Sequence, residues 1–267
     1  MVAMVSGTGL GLDLTSARVL GGQGIAGDAS FGTGGQKVYV NTATGNLVLQ
    51  QQQDAFVGLG PEFDPVLTYN SLGQLNGAYG YRFTMGAVTG QLVLSGQQGQ
   101  AGSTVTVTQF DGSQEVYAWD GTRYASKAGG GAYDSLTYAA DTGLYTRVDG
   151  ASQQTEIYDG ATGQLKSRAD AQGNTIAFAY TAGQLTGVTH TNLVNGVPTP
   201  ETLTFAYDPT THLLASISAP TDVLNADGSV TTTTRKIVDY GYASGTALLT
   251  SPMRSASTPE TISPVIR

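Results

Sequence analysis

The aromatic residues around position 119 are the strongest candidates for chemistry in this sequence of 267 residues. Trp119 lies close in the sequence to Tyr117 and Tyr124. Aromatic rings with an apolar face and a polar tip are suited to stacking on a sugar ring. One interpretation of the three residues is therefore a carbohydrate-stacking platform. The alternative is a structural role, in which the rings pack against neighbouring strands.

Residues for acid–base or nucleophilic catalysis form no recognisable motif. The sequence contains no G-x-S-x-G, P-loop or H-E-x-x-H pattern. We expect His190 and His212 to be surface residues at turns or strand ends. Strands could bring two carboxylates together for glycoside hydrolysis, but most aspartates fall in predicted turns, where they cap the backbone. We therefore predict no catalytic residues, no metal site, no cofactor and no enzymatic activity.

The composition excludes several classes of protein. The 12 Lys and Arg residues are outnumbered by 20 Asp and Glu residues, which gives a net charge of -8. This charge argues against nucleic acid and anionic membranes as partners. Because cysteine is absent, disulfide scaffolds, thiolate zinc sites and thiol nucleophiles are excluded. No apolar run approaches the roughly 18 residues of a membrane span, so we expect no membrane insertion, and no signal peptide is visible.

Residues 1–35 are rich in glycine, and we interpret them as an N-terminal leader. Gly22, Gly24 and Gly27 match G-x-G-x-x-G and are followed by Asp28. A dinucleotide-binding loop needs a strand before this motif and a helix after it. The segment that follows contains too much glycine for a helix, so a flexible leader is the favoured interpretation.

The elements that carry these residues are predicted to be short β-strands. Polar and apolar residues alternate in STVTVTQF, NTIAFAY and TLTFAY, and this period of two is typical of half-buried strands. Asp-Gly pairs punctuate the strands and predict hairpins with type I′ turns: Asp111-Gly112, Asp120-Gly121, Asp149-Gly150, Asp159-Gly160 and Asp227-Gly228. The sequence therefore predicts an all-β fold of repeated antiparallel hairpins.

An internal repeat organises these strands. Each copy consists of a strand that ends in tyrosine, a short polar turn and a leucine that starts the return strand. The repeat tyrosines are Tyr69, Tyr138, Tyr158, Tyr180, Tyr207 and Tyr242, and the leucines are Leu75, Leu144, Leu165, Leu185, Leu213 and Leu248. Aspartates such as Asp159 and Asp208 and glycines such as Gly163 and Gly173 supply the turns. Recurrence at strand ends favours a structural role for Tyr180 and Tyr207 over sugar stacking.

The repeat residues resemble those of a known family. The stretch from Tyr158-Asp159 through Gly163-x-Leu165 and Asp170-x-x-Gly173-Asn174 to Tyr180 resembles the tyrosine–aspartate (YD) repeat of Rhs proteins. Residues 38–73, with Thr44-Gly45-Asn46-Leu47 and Thr68-Tyr69-Asn70-Ser71, resemble the start of an Rhs shell, and residues 111–119 resemble its next landmark. Literal Tyr-Asp occurs in the repeat only at Tyr158 and Tyr207, and the Asp-Pro-Gly-rich block that ends an Rhs core is absent.

The resemblance implies a β-sheet ribbon that spirals into a hollow shell. In Rhs proteins, toxin-complex C components and teneurins, such a shell encloses or supports a variable C-terminal domain. Residues 36–250 would form part of this curved sheet, and residues 251–267 are interpreted as a Pro/Ser/Thr-rich tail or a truncation. Bacterial relatives are secreted or surface polymorphic toxins, or wall-associated proteins.

The resemblance, together with the lack of a catalytic motif, implies a non-enzymatic shell segment that encases or presents a C-terminal effector, outside the cell or at its surface. Its partners would be further Rhs repeats and the effector, in a longer chain or a neighbouring protein. The family is also associated with carbohydrate binding. The alternative function is therefore a carbohydrate-binding or adhesion module with cell-surface glycans as partners.

Overall fold

A computed structural model of the chain describes residues 3–5, 37–42, 44–52, 61, 66–72, 83–85, 91–109, 112, 114–126, 133–242 and 248–253. All regular elements of this part of the chain are β-strands. The prediction of an all-β fold is therefore confirmed for the described residues.

The first sheet has five strands in sequence order. They are β1 (Ala3–Val5), β2 (Lys37–Asn41), β3 (Asn46–Gln52), β4 (Val66–Asn70) and β5 (Phe83–Met85). β1 pairs with β2 in parallel, and the other neighbours are antiparallel. β1 lies within the predicted leader, most of which is outside the described residues.

The second sheet is an antiparallel meander of 14 strands whose order follows the sequence. Its first half contains β6 (Gln91–Ser95), β7 (Thr104–Thr108), β8 (Gln114–Trp119), β9 (Tyr124–Ser126), β10 (Ser135–Ala139), β11 (Leu144–Val148) and β12 (Thr155–Asp159). Its second half contains β13 (Leu165–Ala169), β14 (Thr175–Thr181), β15 (Gln184–Val194), β16 (Val197–Tyr207), β17 (Leu214–Leu224), β18 (Val230–Tyr242) and β19 (Leu248–Met253). β19 crosses the predicted boundary at 250, and the tail beyond Met253 is outside the described residues.

One face of this sheet carries the core, because alternate side chains of a strand point to the same side. Val105 and Val107 are fully buried, and Phe178 and Phe205 continue the cluster across β14 and β16. We call this the buried face. Residues between them, such as Ala177, are exposed. The period-2 pattern of the sequence therefore determines which side of each strand faces the core.

The repeat tyrosines lie at or next to the ends of their strands. Tyr158, Tyr180, Tyr207 and Tyr242 each follow a shift in strand register. A β-bulge of this kind places one extra residue in a strand and increases its twist. Tyr207 pairs with Leu214 rather than with Leu213, so the repeat alignment that used Leu213 is wrong by one residue. Leu214 has the same spacing from Tyr207 as Leu165 has from Tyr158, so the two turns are equivalent when Leu214 is used.

The turns after Tyr158 and Tyr207 have the same hydrogen bonds. Asp159 Oδ1 accepts bonds from the backbone N–H groups of Ala161 and Thr162, and Asp208 Oδ1 accepts them from two threonines at the same offsets. Four residues after each aspartate, the backbone adopts positive φ, at 71° in Gly163 and 57° in His212.

The prediction of type I′ turns at Asp-Gly is wrong for the four pairs whose aspartate is described. A type I′ turn needs positive φ at both central residues, and Asp120, Asp149, Asp159 and Asp227 do not have it. Their carboxylates bind the backbone of a wider turn instead. Positive φ at two successive residues occurs at Ala182-Gly183 and Asn195-Gly196.

The first strand of the large sheet also contacts a distant turn. The backbone N–H of Leu92 in β6 donates to the carbonyl oxygen of Gly163 at 2.9 Å. Gln91 forms an antiparallel bridge with Gln164 in the same turn, between β12 and β13. Gly163 fits because it has no Cβ, since a Cβ there would overlap the carbonyl oxygen of Leu92. This contact joins strands that lie far apart in the order of the sheet.

Candidate functional site

Three repeat tyrosines connect neighbouring strands through their hydroxyl groups. Tyr180 donates to the carbonyl oxygen of Leu165 at 2.9 Å, and Tyr207 donates to that of Leu185 at 2.7 Å. Tyr242 donates to the carbonyl oxygen of Leu214 at 2.8 Å. We call these contacts the Tyr–Leu bonds.

The acceptor of each Tyr–Leu bond is also part of the preceding hairpin. Leu165 is the register partner of Tyr158, and Leu185 is the register partner of Tyr180. The leucine side chains are buried, while their carbonyl groups receive a hydroxyl from the next repeat. Each of these three tyrosines therefore adds one side-chain bond to the backbone ladder between two neighbouring strands.

Burial affects the titration of these tyrosines. Loss of hydration raises the pKa of Tyr180 and of Tyr242 above the ordinary value, because the charged phenolate is disfavoured in a poorly hydrated site. The neutral hydroxyl is the form that donates in the Tyr–Leu bonds. These bonds therefore persist at neutral pH.

A network of charged side chains lies on the buried face, centred on Arg147 of β11. Its guanidinium binds Glu115 of β8 at 3.3 Å, Glu156 of β12 at 2.9 Å and Asp134, which precedes β10. Arg147 Nε also donates to the hydroxyl of Tyr117 at 2.7 Å. Only 12% of the Arg147 side chain is exposed. We call this group the Arg147 network.

Glu156 extends the Arg147 network to the next strand. Its Oε1 accepts from Nη2 of Arg168 in β13 at 2.7 Å, and its Oε2 accepts from the hydroxyl of Tyr158 at 2.8 Å. Burial alone would raise the pKa of Glu156, but the positive charges of Arg168 and Arg147 outweigh burial and hold the pKa below its ordinary value. Glu156 is therefore ionised in the folded protein at neutral pH.

The network contains the same short motif twice. Tyr117 donates to Glu115 at 2.6 Å, and Tyr158 donates to Glu156 at 2.8 Å, so each tyrosine binds the glutamate two residues before it. Both glutamates bind Arg147. This network is not among the features predicted from the sequence. A signal was present in TEIYD, because Glu156 shares the parity, and hence the face, of the buried Tyr158.

The Arg147 network is better suited to holding strands together than to catalysis. Glu115 and Glu156 are each 3% exposed, so substrate has no access to their carboxylates in this conformation. A general acid in glycoside hydrolysis needs a raised pKa, whereas that of Glu156 is lowered. The arrangement therefore connects β8, β11, β12 and β13 through charge-assisted hydrogen bonds.

The three aromatic residues proposed for sugar stacking differ in exposure and do not form a shared exposed platform. Tyr117 and Tyr124 have no exposed surface, and a stacking platform must expose a ring face. Tyr117 belongs to the Arg147 network, and the hydroxyl of Tyr124 contacts Ser103 Oγ at 3.0 Å. Trp119 is partly buried and packs edge-on against Tyr124, with centroids 5.2 Å apart. The buried pair are therefore core residues, and Trp119 alone retains exposed surface.

The two histidines have different surroundings. His212 is an exposed turn residue, as predicted. His190 is 5% exposed and lies within β15, paired with Ile176 and Glu201, so the expectation of a surface residue at a turn or strand end is wrong for it. The alternation of β15 places His190 on the same face as the buried Val188.

The remaining repeat residues occupy the expected kinds of position. Tyr69 lies near the end of β4, and Tyr138 lies near the end of β10, where its ring packs 4.8 Å from that of Tyr145. Gly173 has a positive φ of 90° in the turn between β13 and β14. These placements agree with turn and strand-end roles.

No further site emerges from the described residues. They contain no group of three or more His, Asp or Glu side chains arranged to hold a metal ion. Nor do they contain a helix of the length and apolar character needed to cross a membrane. No protein-family model matches the chain, and no curated protein is significantly similar to it.

Proposed function

We propose that this chain is a non-enzymatic wall segment of an Rhs-type shell, which encases or presents a C-terminal effector outside the cell or at its surface. The proposal combines the resemblance of the YD-like repeats with the geometry of the large sheet. In this proposal, the 14-stranded meander forms a curved and spiralling wall, and further repeats would extend that wall.

The observation that carries the proposal is the contact between β6 and the turn after β12. In a flat sheet, the six strand spacings from β6 to β12, at about 4.8 Å each, would separate these strands by about 29 Å. The hydrogen bond from Leu92 to Gly163 is 2.9 Å long. A bend that brings β6 back to this turn accounts for the difference and supports a curved wall.

The Tyr–Leu bonds and the Arg147 network support a structural rather than a catalytic role. Both sets of contacts connect strands of the large sheet, through side chains that are buried or partly buried. Carbohydrate binding has less support, because Tyr117 and Tyr124 are buried.

Engineered cysteines test the curved wall. The natural chain has no cysteine, so Gln91→Cys with Gln164→Cys introduces a single thiol pair. Their positions form an antiparallel bridge, within the Cα separation of roughly 4.4–6.8 Å that a disulfide needs. We expect rapid intramolecular oxidation, whereas Gln91→Cys with Thr211→Cys should stay reduced. Equal oxidation of the two pairs, or none in the first, would contradict the curved wall.

The location of the protein in producing cells tests the proposed shell function separately from the curved wall. Intact producing cells would be treated with a membrane-impermeant biotin reagent, and the labelled fraction measured against a cytoplasmic marker. We expect labelled protein at the surface or in the medium. Detection only in the unlabelled cytoplasmic pool would reject the secreted-shell function and leave the curved wall intact.

A further inference from the structure

Two long hairpins leave the large sheet side by side. The ladder between β16 and β17 runs only from Thr204 to Tyr207, paired with Ser218 to Leu214. Beyond it, residues 192–202 form the first arm, within the β15–β16 hairpin, and residues 220–234 form the second arm, within the β17–β18 hairpin. Val197 in the first arm is 61% exposed, and Leu224 in the second is 72% exposed. The arms therefore extend into solvent.

One contact with a side chain shows in which direction the backbone N–H and C=O groups of the first arm point. The N–H of Leu193 donates to Asn174 Oδ1 at 3.0 Å, on the side of β15 away from β16. Leu193 and its register partner Pro198 are therefore a non-hydrogen-bonded pair of the β15–β16 ladder. By alternation, the backbone groups of Pro198, Pro200, Thr202 and Thr204 all point towards β17.

The second arm has a matching direction. The N–H of Asn225 donates to the carbonyl oxygen of Ser229 at 2.8 Å, so Asn225 points towards β18. By alternation, the backbone groups of Leu224, Asp222, Pro220 and Ser218 point towards β16. The two directions are consistent, because they make the backbone groups of Thr204 and Ser218 point towards each other, and these residues are the last pair of the ladder between the strands.

Continuation of this ladder would require three more hydrogen-bonded pairs. In the same register, Thr202 would face Pro220, Pro200 would face Asp222, and Pro198 would face Leu224. Every pair contains one proline, which has no N–H to donate and whose ring obstructs the facing carbonyl. The ladder therefore ends at Thr204 and Ser218, the last hydrogen-bonded pair of this register that contains no proline.

We propose that Pro198, Pro200 and Pro220 form a built-in fork, which keeps the two arms apart and lets them move independently beyond Thr204 and Ser218. The prolines take the strand positions whose donors would otherwise join the arms, while each arm keeps its own complete hairpin ladder. The same missing donors protect the facing edges from addition of a foreign strand. This inference does not depend on the proposed function.

Hydrogen exchange tests the fork in the full chain. In the natural protein, we expect the amides of Thr202, Asp222 and Leu224 to exchange quickly, in contrast to those of Phe205 and Ile217. Replacement of all three prolines by threonine, a good strand former, should extend the ladder and slow these amides by about tenfold or more.

Single variants supply the matched comparison. Pro220→Thr should protect Thr202 alone, because it frees the pair next to the existing ladder. Pro198→Thr should protect none of the three amides, because the inner pairs remain blocked. Slow exchange of Thr202, Asp222 and Leu224 in the natural protein, or no gain in the triple variant, would overturn the proposal. Protection that appears only with concentration-dependent dimerisation would also overturn it.

Discussion

The hydroxyl of Tyr207 donates to the carbonyl oxygen of Leu185, and Leu185 is itself the register partner of Tyr180 in the preceding hairpin. The repeats of Tyr180 and Tyr207 therefore each provide both a donor for the hairpin before and an acceptor for the hairpin after. The polar end of the tyrosine thereby gains a specific structural use, while its ring packs against the hydrophobic cluster.

Removal of one Tyr–Leu bond should weaken the sheet measurably. We expect Tyr180→Phe to lower the free energy of unfolding by about 1 kcal/mol, since it deletes the hydroxyl and leaves the carbonyl of Leu165 without this donor. Urea unfolding followed by circular dichroism provides the measurement. Tyr133→Phe is the control, because Tyr133 is 88% exposed. Equal losses in both variants would argue against the bond.

Arg147 should be among the most sensitive residues of the chain. We expect Arg147→Met to cost about 3–5 kcal/mol, because buried carboxylates of Glu115, Asp134 and Glu156 lose a shared partner. Arg123→Met should leave the urea midpoint nearly unchanged, because its ion pair is largely exposed. A small effect at Arg147 would mean that the network is not integral to the fold.

Neutralising an acidic partner distinguishes lost pairing from lost packing. Glu115→Gln in the Arg147→Met background should recover part of the lost stability, because Arg147 is the only cation paired with Glu115 among the described residues and its buried carboxylate is left uncompensated. In the natural background, the same substitution should destabilise. If Glu115→Gln has the same sign in both backgrounds, loss of side-chain packing explains the Arg147 effect better.

Two glycines with positive φ should respond differently to alanine. At Gly183 a Cβ meets nothing within 4 Å, so we expect Gly183→Ala to cost about 1 kcal/mol from backbone strain alone. Gly163→Ala adds a clash with Leu92 and should cost about 2–4 kcal/mol. Chemical denaturation of both variants provides the comparison. Similar costs would contradict the close approach of β6 to this turn.

Replacement of His212 by glycine should stabilise the fold. It adopts a φ of 57° at the turn position where the equivalent repeat has Gly163, and a side chain in this region costs about 1 kcal/mol. We therefore expect His212→Gly to raise the thermal midpoint. Thr210→Gly, in the same turn but without positive φ, should lower it. A fall for His212→Gly would mean that the imidazole makes a compensating contact.

Alkaline conditions should unfold the protein through its buried tyrosines. Burial raises the pKa of Tyr158 and of Tyr180 in the fold above the ordinary value of about 10. Their stabilising contribution is complete below pH 10 and is lost as pH rises towards the raised values, by up to about 1.4 kcal/mol per pH unit for each group. Urea midpoints measured from pH 8 to pH 12 should fall above pH 10, and less steeply in Tyr180→Phe. A flat profile would contradict this expectation.

The sequence was informative about strands because alternation is a local property. The faces of Val107 and Phe178 follow from their neighbours alone, and the tyrosine at each strand end is visible as a repeat. Register was less accessible, because the bulge at Tyr207 shifts its partner to Leu214. A bulge depends on how two strands meet, which a single strand does not encode.

The site was harder to predict than the fold. Arg147 contacts residues far from it in the sequence, including Glu115 at a separation of 32 positions, so its role depends on three-dimensional placement. The sugar-stacking interpretation requires Tyr117 and Tyr124 to be exposed, and composition alone does not reveal that they are buried. The alternation of β8 indicates that Tyr117 shares a face with Glu115. Only the assembled sheet shows that both side chains are buried.

The neighbour-by-neighbour order of the 14-stranded sheet also bears on how the chain folds. Each strand pairs with the one just made, so the loops to be closed are short and the contact order is low for an all-β protein. We expect strands to be added progressively as the polypeptide emerges from a ribosome or a secretion channel. The bridge between Gln91 and Gln164 would close late, after the strands between them have formed.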